Sequence, residues 1–493
     1  MSDYHSIACD LGADSGRVIL GTLHEGRVVL EEIHRFSNGV SKVHGSFRWN
    51  VLRLFEKLKE GLRKVAAKGV KPESLSVDSW GVDYVLFNAR QPMLALPYQY
   101  RDARTDAPYA AILERVGAAK IFEATGIQFM PINTLYQLVA DVEQNGDVLS
   151  IADQFLCIAD YLHYLFCGVA RAEESMASTT QLYNPRDRQW ARELIGECGL
   201  PERIFPPIVP SGTQLGTLLP AVAEETGLPE IPVVATCSHD TGAAVAAVPA
   251  EGEDWAFLSS GTWSLIGVEL PAPLINDEVR ACNFTNEAGY GGTTRFLKNI
   301  IGLWLLQESR REWIRQGETL SFNDLDRLAE EAEPFRSLIN PNSPCFLKPD
   351  QMPQKIAAYC RATGQRVPET PGQVTRCIFE SLGLLYRQTL EQIENLTGRK
   401  IAKLHIVGGG TKSALLNQYA ANGTERTVLA GPVEATACGN VLLQALALGH
   451  LDSLAALRKT VAASFPVLEY QPQQSADWRR AYERFASLPL ITA

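Results

Sequence analysis

The chain has 493 residues, 46% of them hydrophobic and 21% charged, with a formal net charge of -10. These are the proportions of a folded globular protein with room for more than one core, and they exclude a disordered or fibrous chain. The acidic balance, with no run of Lys and Arg, argues against a nucleic-acid surface, so an anionic ligand would need a focused site of backbone donors, a bound cation, or both. No stretch approaches the ~18 consecutive apolar residues of a membrane helix, and the opening residues lack the basic-then-apolar pattern of a secretory signal. Ten cysteines without a CxxC pair fit neither a secreted disulfide framework nor a zinc site. A cytoplasmic location is expected, with Cys360 and Cys377, either side of a Pro-containing loop, as free thiols.

In chain order, two apolar segments within residues 7–23 flank a turn containing Gly12 and Gly16, and a third strand is expected from Val28 to Phe36. From Asn50, a candidate N-cap, Val51, Leu54, Phe55, Leu58, Leu62 and Val65 have the spacing of an amphipathic helix that stops at Gly69. Leu75 to Asp78 is the next strand, running into the polar end Ser79-Trp80-Gly81-Val82-Asp83. Residues 105–217 read as mostly helical, an insertion on the first sheet. The apolar run Ile231 to Ala235 then reads as a buried strand delivering Cys237-Ser238-His239-Asp240-Thr241-Gly242 to its rim, with small residues following in a closely packed helix.

A second meander begins at Trp255, where Leu258-Ser259-Ser260-Gly261-Thr262-Trp263-Ser264-Leu265 repeats the grammar of residues 7–23. The chain is therefore expected to hold two copies of one domain, at 1–247 and 248–493. Beyond it the spacing of Leu297, Ile300, Ile301, Trp304 and Leu305 predicts a helix from about Phe296 to Arg315, and a long helix is expected from Val374 to Leu396. The strand 403–407 runs into Gly408-Gly409-Gly410, and a further strand at 428–430 precedes a helix over 434–448.

Asp240 at a strand rim is placed to accept a proton from an attacking hydroxyl; equally, an Asp there can simply cap the helix. His239 reads as a substrate hydrogen-bonding group rather than a relay partner of Asp240, because neighbours on a strand end point opposite ways. The two Gly/Ser turns can each turn a row of backbone N–H groups toward a phosphate, or be ordinary hairpin turns. Arg17 can reach a phosphate or lie on the surface, and Asp10 can hold water ligands of Mg²⁺ or form a turn. The three glycines at 408–410 would let a flat ring lie against backbone. Neither a dinucleotide fingerprint nor a Walker A loop is present.

Together these stretches resemble the FGGY carbohydrate kinases of the actin and Hsp70-like ATPase superfamily: DLGADSGR at 10–17, DSWGVDYVL at 78–86, NTLYQL at 133–138, SHDTGAAV at 238–245, LSSGTWSL at 258–265, KNIIGLWLLQ at 298–307, HIVGGG at 405–410 and AGPVEATACGN at 430–440. The resemblance implies an α/β protein of two duplicated RNase H-like domains with a cleft between them. It implies transfer of a phosphoryl group from ATP, with Mg²⁺, to the terminal hydroxyl of a ketose, with L-rhamnulose ahead of L-fuculose, D-xylulose and L-ribulose. It further implies Asp240 as general base; Gly81, His239, Thr241 and Asn299 at the sugar; Ala13, Asp14, Ser15, Gly16, Arg17, Thr262, Gln307 and Gly409 at ATP; and Asp10 near Mg²⁺. Asp14 departs from the small neutral residue the pattern carries there, and its charge would repel a γ-phosphate unless it faces solvent or the cation. An actin-like ATPase without a sugar substrate is the alternative. Partners are expected to be small molecules, with no nucleic acid or membrane, and the chain a monomer or homodimer.

Overall fold

The computed structural model describes residues 3–492. The opening meander forms as expected: Tyr4–Leu11 pairs antiparallel with Ser15–His24, which pairs antiparallel with Arg27–Ser37. Its turn can be tight because Gly16 has no side chain; an added Cβ would lie 2.5 Å from atoms of Leu11 and Phe36. The helix Val51–Ala67 starts where Asn50 accepts the Arg53 N–H at 3.1 Å and ends just before Gly69, whose φ is +71°. It buries Val51, Leu54, Leu58, Leu62 and Val65 completely, each worth roughly 1.5–3 kcal/mol. Truncating Leu58 to Ala would therefore cost about 2–5 kcal/mol.

The first sheet has six strands in the order Thr213–Thr217, Pro232–Ala235, Ser74–Ser79, Tyr4–Leu11, Ser15–His24, Arg27–Ser37. Its middle is parallel and buried on both faces: Pro232–Ala235 reads as an apolar run, whereas Ser74–Ser79 alternates Leu75 and Val77 with the buried polar residues Ser74, Ser76 and Asp78. The second sheet repeats the plan. Trp255–Ser260 is antiparallel to Trp263–Leu270 and parallel to Lys403–Val407, which is parallel to Thr427–Ala430, and Leu468–Tyr470 closes that edge antiparallel. Thr294–Ile301 and Thr285–Ala288 complete its other edge.

One expectation is corrected here. Phe296 to Ile301 is strand, the helix begins only at Trp304, and Gly302 lies between. Ile300 and Ile301 are β-branched and both faces of this strand are largely buried, so its apolar residues fit a helical period by coincidence. Gly302 is needed at the break because a Cβ there would lie 2.6 Å from the Ser264 hydroxyl and 2.9 Å from the Gly261 carbonyl.

Two compact units emerge. One takes the chain up to Pro249 together with Glu269–Phe296 and Ala435–Ser464; the other takes Ala250–Val268, Leu297–Glu434 and the chain from Phe465 on. The helix Ala435–Ala447 thus packs within the first unit, where a Cβ on Gly439 would lie 1.9 Å from the Ala243 carbonyl oxygen. Its Gln444 donates to the Ile7 carbonyl at 3.0 Å. Among the described residues no helix is long and apolar enough to cross a membrane.

Candidate active site

In the first unit, the carboxyl ends of the parallel strands gather the charged residues singled out above. Asp10 lies opposite Asp78 in register, and Ser79 bridges to His239 with its N–H donating to the Ser238 carbonyl at 2.9 Å. Asp10 is nearly buried and forms an ion pair with Arg17, its partner across the hairpin. Asp14 is exposed at the turn, where its carbonyl accepts the Asn38 N–H at 3.1 Å, so its charge faces outward. Ala13 and Ser15 are half-buried beside it.

Asp240 is the first residue of the helix Asp240–Ala246, and His239 caps it in extended conformation. That placement overturns the expected divergence of the two side chains. At a strand-to-helix junction successive residues no longer alternate, and His239 Nε2 comes to 3.4 Å from Asp240 Oδ1. The same oxygen accepts the Thr241 N–H at 2.6 Å and the Thr241 hydroxyl at 3.2 Å. Oδ2 takes no part in any of these contacts, and 29% of the side chain is open. Burial in the protein raises the Asp240 pKa; the His239 ring draws it back down, and Asp10 pushes it up. Asp78, fully buried, is driven well above the usual carboxylate range by burial and by Asp10, against a 2.6 Å hydrogen bond from Asn440.

Gly81 follows this rim. A Cβ on it would lie 2.8 Å from the Thr179 hydroxyl, and the next residue, Val82, is held at φ +68°, a conformation β-branched residues avoid. The strain is fixed from outside: Val82 accepts from the Thr134 hydroxyl at 2.7 Å and donates to Thr179 at 3.3 Å. Behind it Asp83, fully buried, accepts from Trp49 at 2.6 Å, Trp80 at 3.0 Å, Gln137 at 2.9 Å and the Tyr100 N–H at 3.2 Å. Burial lifts its carboxyl to about 6 against those donors, so it is charged at neutral pH.

Sequence reasoning missed four supporting residues. Asp83 is one. Glu173 is another: it accepts the N–H of Ser238 at 3.0 Å and of Met176 at 3.1 Å, while Ser175 accepts the His239 N–H at 3.1 Å, so the segment before Asp240 is tied down. Glu287 and Arg295 flank the His239 ring, at 3.4 Å and 3.3 Å from Nδ1.

In the second unit the turn Gly261-Thr262 is anchored by Leu303 and Trp304, whose N–H groups donate to its carbonyls at 3.0 and 3.1 Å. Thr262 donates to Gln307 at 3.1 Å. The glycine turn lies against the same hairpin: a Cβ on Gly410 would overlap the Ser260 hydroxyl at 2.0 Å, whereas one on Gly409 would meet nothing within 4 Å. Asn299 is half-buried on the Thr294–Ile301 strand. At the residues singled out, the two units therefore differ: acids gather in the first, and neutral donors and bare backbone in the second.

A cation fits the first set. The hard, oxygen-rich pair Asp10 and Asp78 suits Mg²⁺, which takes one or two carboxylates and keeps several waters. Asp78 Oδ1 is buried without a hydrogen-bond partner. Among the described residues no three or more His, Cys, Asp or Glu converge as an all-protein metal cage.

The family models for the FGGY carbohydrate kinase N-terminal and C-terminal domains match residues 5–247 and 256–448. The chain is 46% identical over 478 residues to a rhamnulokinase of Bacteroides thetaiotaomicron, covering 97% of this chain and 98% of that one. It is 43% identical to a rhamnulokinase of Enterococcus faecalis, covering 94% of each. Among solved structures it resembles a ligand-bound xylulose kinase of Lactobacillus acidophilus (TM-score 0.82, 15% identity, 98% and 97% covered) and a Plasmodium falciparum glycerol kinase with ADP (TM-score 0.79, 13% identity, 99% of each). With both domain models matched and relatives this similar along nearly the whole chain, the protein belongs to the FGGY family of carbohydrate kinases, ATP-dependent sugar phosphotransferases.

Proposed function

We propose that this kinase phosphorylates the terminal hydroxyl of a ketose, with L-rhamnulose as substrate and L-rhamnulose 1-phosphate and ADP as products. The choice of sugar rests on the relatives named rhamnulokinase at 40–46% identity. The observation that carries the chemistry is Asp240: a carboxylate with one oxygen accepting from the Thr241 N–H and hydroxyl and lying 3.4 Å from the His239 ring, the other clear of these contacts, and a pKa raised by burial.

In this reading the hydroxyl oxygen of the sugar bonds to the γ-phosphorus as the bond from that phosphorus to the bridging oxygen breaks. The hydroxyl proton passes to Asp240 Oδ2 and ADP leaves. Thr241, Gly81 and Asn299 hold the sugar, with the His239 ring beside it; Ala13, Ser15, Gly16, Arg17, Thr262 and the backbone of Asp14 face the phosphates; Gln307 and Gly409 belong to the nucleotide. Asp10 and Asp78 would hold Mg²⁺, which when bound neutralises charge on the phosphate oxygens. Little covalent work falls to the protein, so alignment and electrostatics supply the rate.

An ADP-release assay across L-rhamnulose, L-fuculose, D-xylulose, L-ribulose and glycerol tests this. The expected result is the highest kcat/KM for L-rhamnulose. Equal ADP release with and without sugar would point to an ATPase, and a higher value for another ketose would replace the substrate.

A further inference from the structure

Between the candidate base and the interior of the first unit runs a chain of polar side chains that phosphoryl transfer does not itself require. Arg295 is fully buried, donates through Nε to the Ala288 carbonyl at 3.1 Å, and lies 3.0 Å through Nη1 from Glu287 Oε2. Its Nη2 points at His239 Nδ1 from 3.3 Å, and Glu287 Oε2 is 3.4 Å from the same nitrogen. The other ring nitrogen, Nε2, faces Asp240 Oδ1 at 3.4 Å. A buried arginine beside a histidine is costly to keep unless something is gained by it, since a leucine-sized residue would fill the space.

The chemistry of the donors decides where the imidazole proton sits. A guanidinium can only donate, so the nitrogen it meets must accept, and a neutral imidazole has one acceptor and one donor. With Nδ1 accepting from Arg295, the proton is on Nε2, the ring nitrogen that lies 3.4 Å from Asp240 Oδ1. The opposite tautomer would donate from Nδ1 to Glu287, but would set the bare Nε2 lone pair against Asp240 Oδ1 and a ring N–H against the guanidinium.

We propose that Arg295, held by Glu287, is a positioning residue that locks His239 as its Nε2–H tautomer. His239 thereby donates to Asp240 Oδ1 and leaves Oδ2 as the oxygen that receives the sugar's proton. The inference rests on the reading of Asp240 as the base. It adds that the base is aimed by Arg295 and Glu287, through His239.

The tautomer is directly observable. In the ¹⁵N-labelled protein, long-range ¹H–¹⁵N correlations distinguish the two neutral forms and the imidazolium, with His239 assigned by its loss in His239→Gln. The expected wild-type state at neutral pH is Nε2–H. Arg295→Met should release the ring to the Nδ1–H form and lower kcat roughly 10- to 100-fold, with KM for ATP unchanged, and Arg295→Lys should restore both the tautomer and most of kcat. Because Arg295→Met removes the guanidinium beside the buried Glu287 charge, the double variant Glu287→Gln/Arg295→Met, which removes both charges, repeats the test without that imbalance. Wild-type protein with Nδ1–H or a charged ring, or a folded Arg295→Met or double variant that keeps both Nε2–H and wild-type kcat, overturns the inference. Full activity in Asp240→Asn would instead overturn the base assignment while leaving the wild-type tautomer as measured, so the two failures are told apart.

Discussion

The two sheets share one plan, yet equivalent positions in them carry opposite chemistry. In the first, the strand end places Asp10 beside Asp78 across the parallel ladder, and Arg17 closes on Asp10 across the hairpin. In the second, Ser259 stands beside Val407 in the corresponding pair, and Leu265 faces Ser259 across the hairpin. A duplicated scaffold supplies two similar backbone turns at no further cost in design, so charge can be concentrated on one copy. The first unit then keeps acids, which hold protons and cations, and the second keeps hydroxyls and glycines, which suit a neutral ring and phosphate oxygens.

The sharpest way to break that contrast is Asp240→Asn, in the acidic half. It should keep the fold and lower kcat by about 10²- to 10⁴-fold, the usual worth of general-base assistance. Steady-state kinetics near wild type would mean that the acids of the first unit serve something other than the proton. The next effect is structural. Asp83→Asn replaces one oxygen of a carboxylate ringed by four N–H donors with a further donor, and should cost about 3–5 kcal/mol. Denaturant unfolding should show the loss, along with weaker sugar binding, because Asp83 supports the turn that carries Gly81. Unchanged stability would show that the ring of donors is not what holds that turn.

How much of this the sequence announces follows from how far apart the interacting residues lie. The strand ends and the glycine turns are local patterns, and they are legible in the sequence. The supports are not: Asp83 meets Trp49 34 residues away, Glu173 meets Ser238 65 away, and Arg295 meets His239 56 away. No periodicity marks such pairs, since the partners lie far apart in the chain and neither alone signals the other. The segment 296–301 failed for another reason. Apolar residues buried on both faces of a strand satisfy a helical template as well as an extended one, and only its place as a strand of the second sheet decides. The approach of His239 to Asp240 runs against strand alternation because the chain changes from extended to helical between them.

A pair of neighbouring glycines sharpens the role of the neutral half. Gly410→Ala drives a methyl into Ser260 and should cost about 1–3 kcal/mol. Gly409→Ala meets no protein atom within 4 Å and should leave stability alone. If nucleotide lies against that backbone, Gly409→Ala will nonetheless raise KM for ATP several-fold with little change in KM for sugar. Equal behaviour of the two variants, in thermal unfolding and in kinetics, would remove the glycine turn from the nucleotide's path.

The smallest effect concerns protons that the fold holds away from the reaction. His163, fully buried on the helix Ile158–Cys167, accepts the Val77 N–H at 2.9 Å through Nε2, one residue before Asp78. Burial pushes its pKa down to about 3, far below the ~6.5 of an exposed imidazole. Below pH 6.5 the unfolded chain therefore takes up a proton that the folded one refuses, and stability drains away as pH falls toward 3. The slope is about 1.4 kcal/mol per pH unit. His163→Gln cannot take that proton, so whatever it costs at pH 7, its deficit relative to wild type should shrink by about that amount per unit between pH 6.5 and 5. Denaturant titrations of both proteins at three pH values measure it. Parallel pH profiles would mean that the ring is protonated in the folded state, which would leave the Val77 N–H without its acceptor and the strand carrying Asp78 less firmly held than its hydrogen bonds indicate.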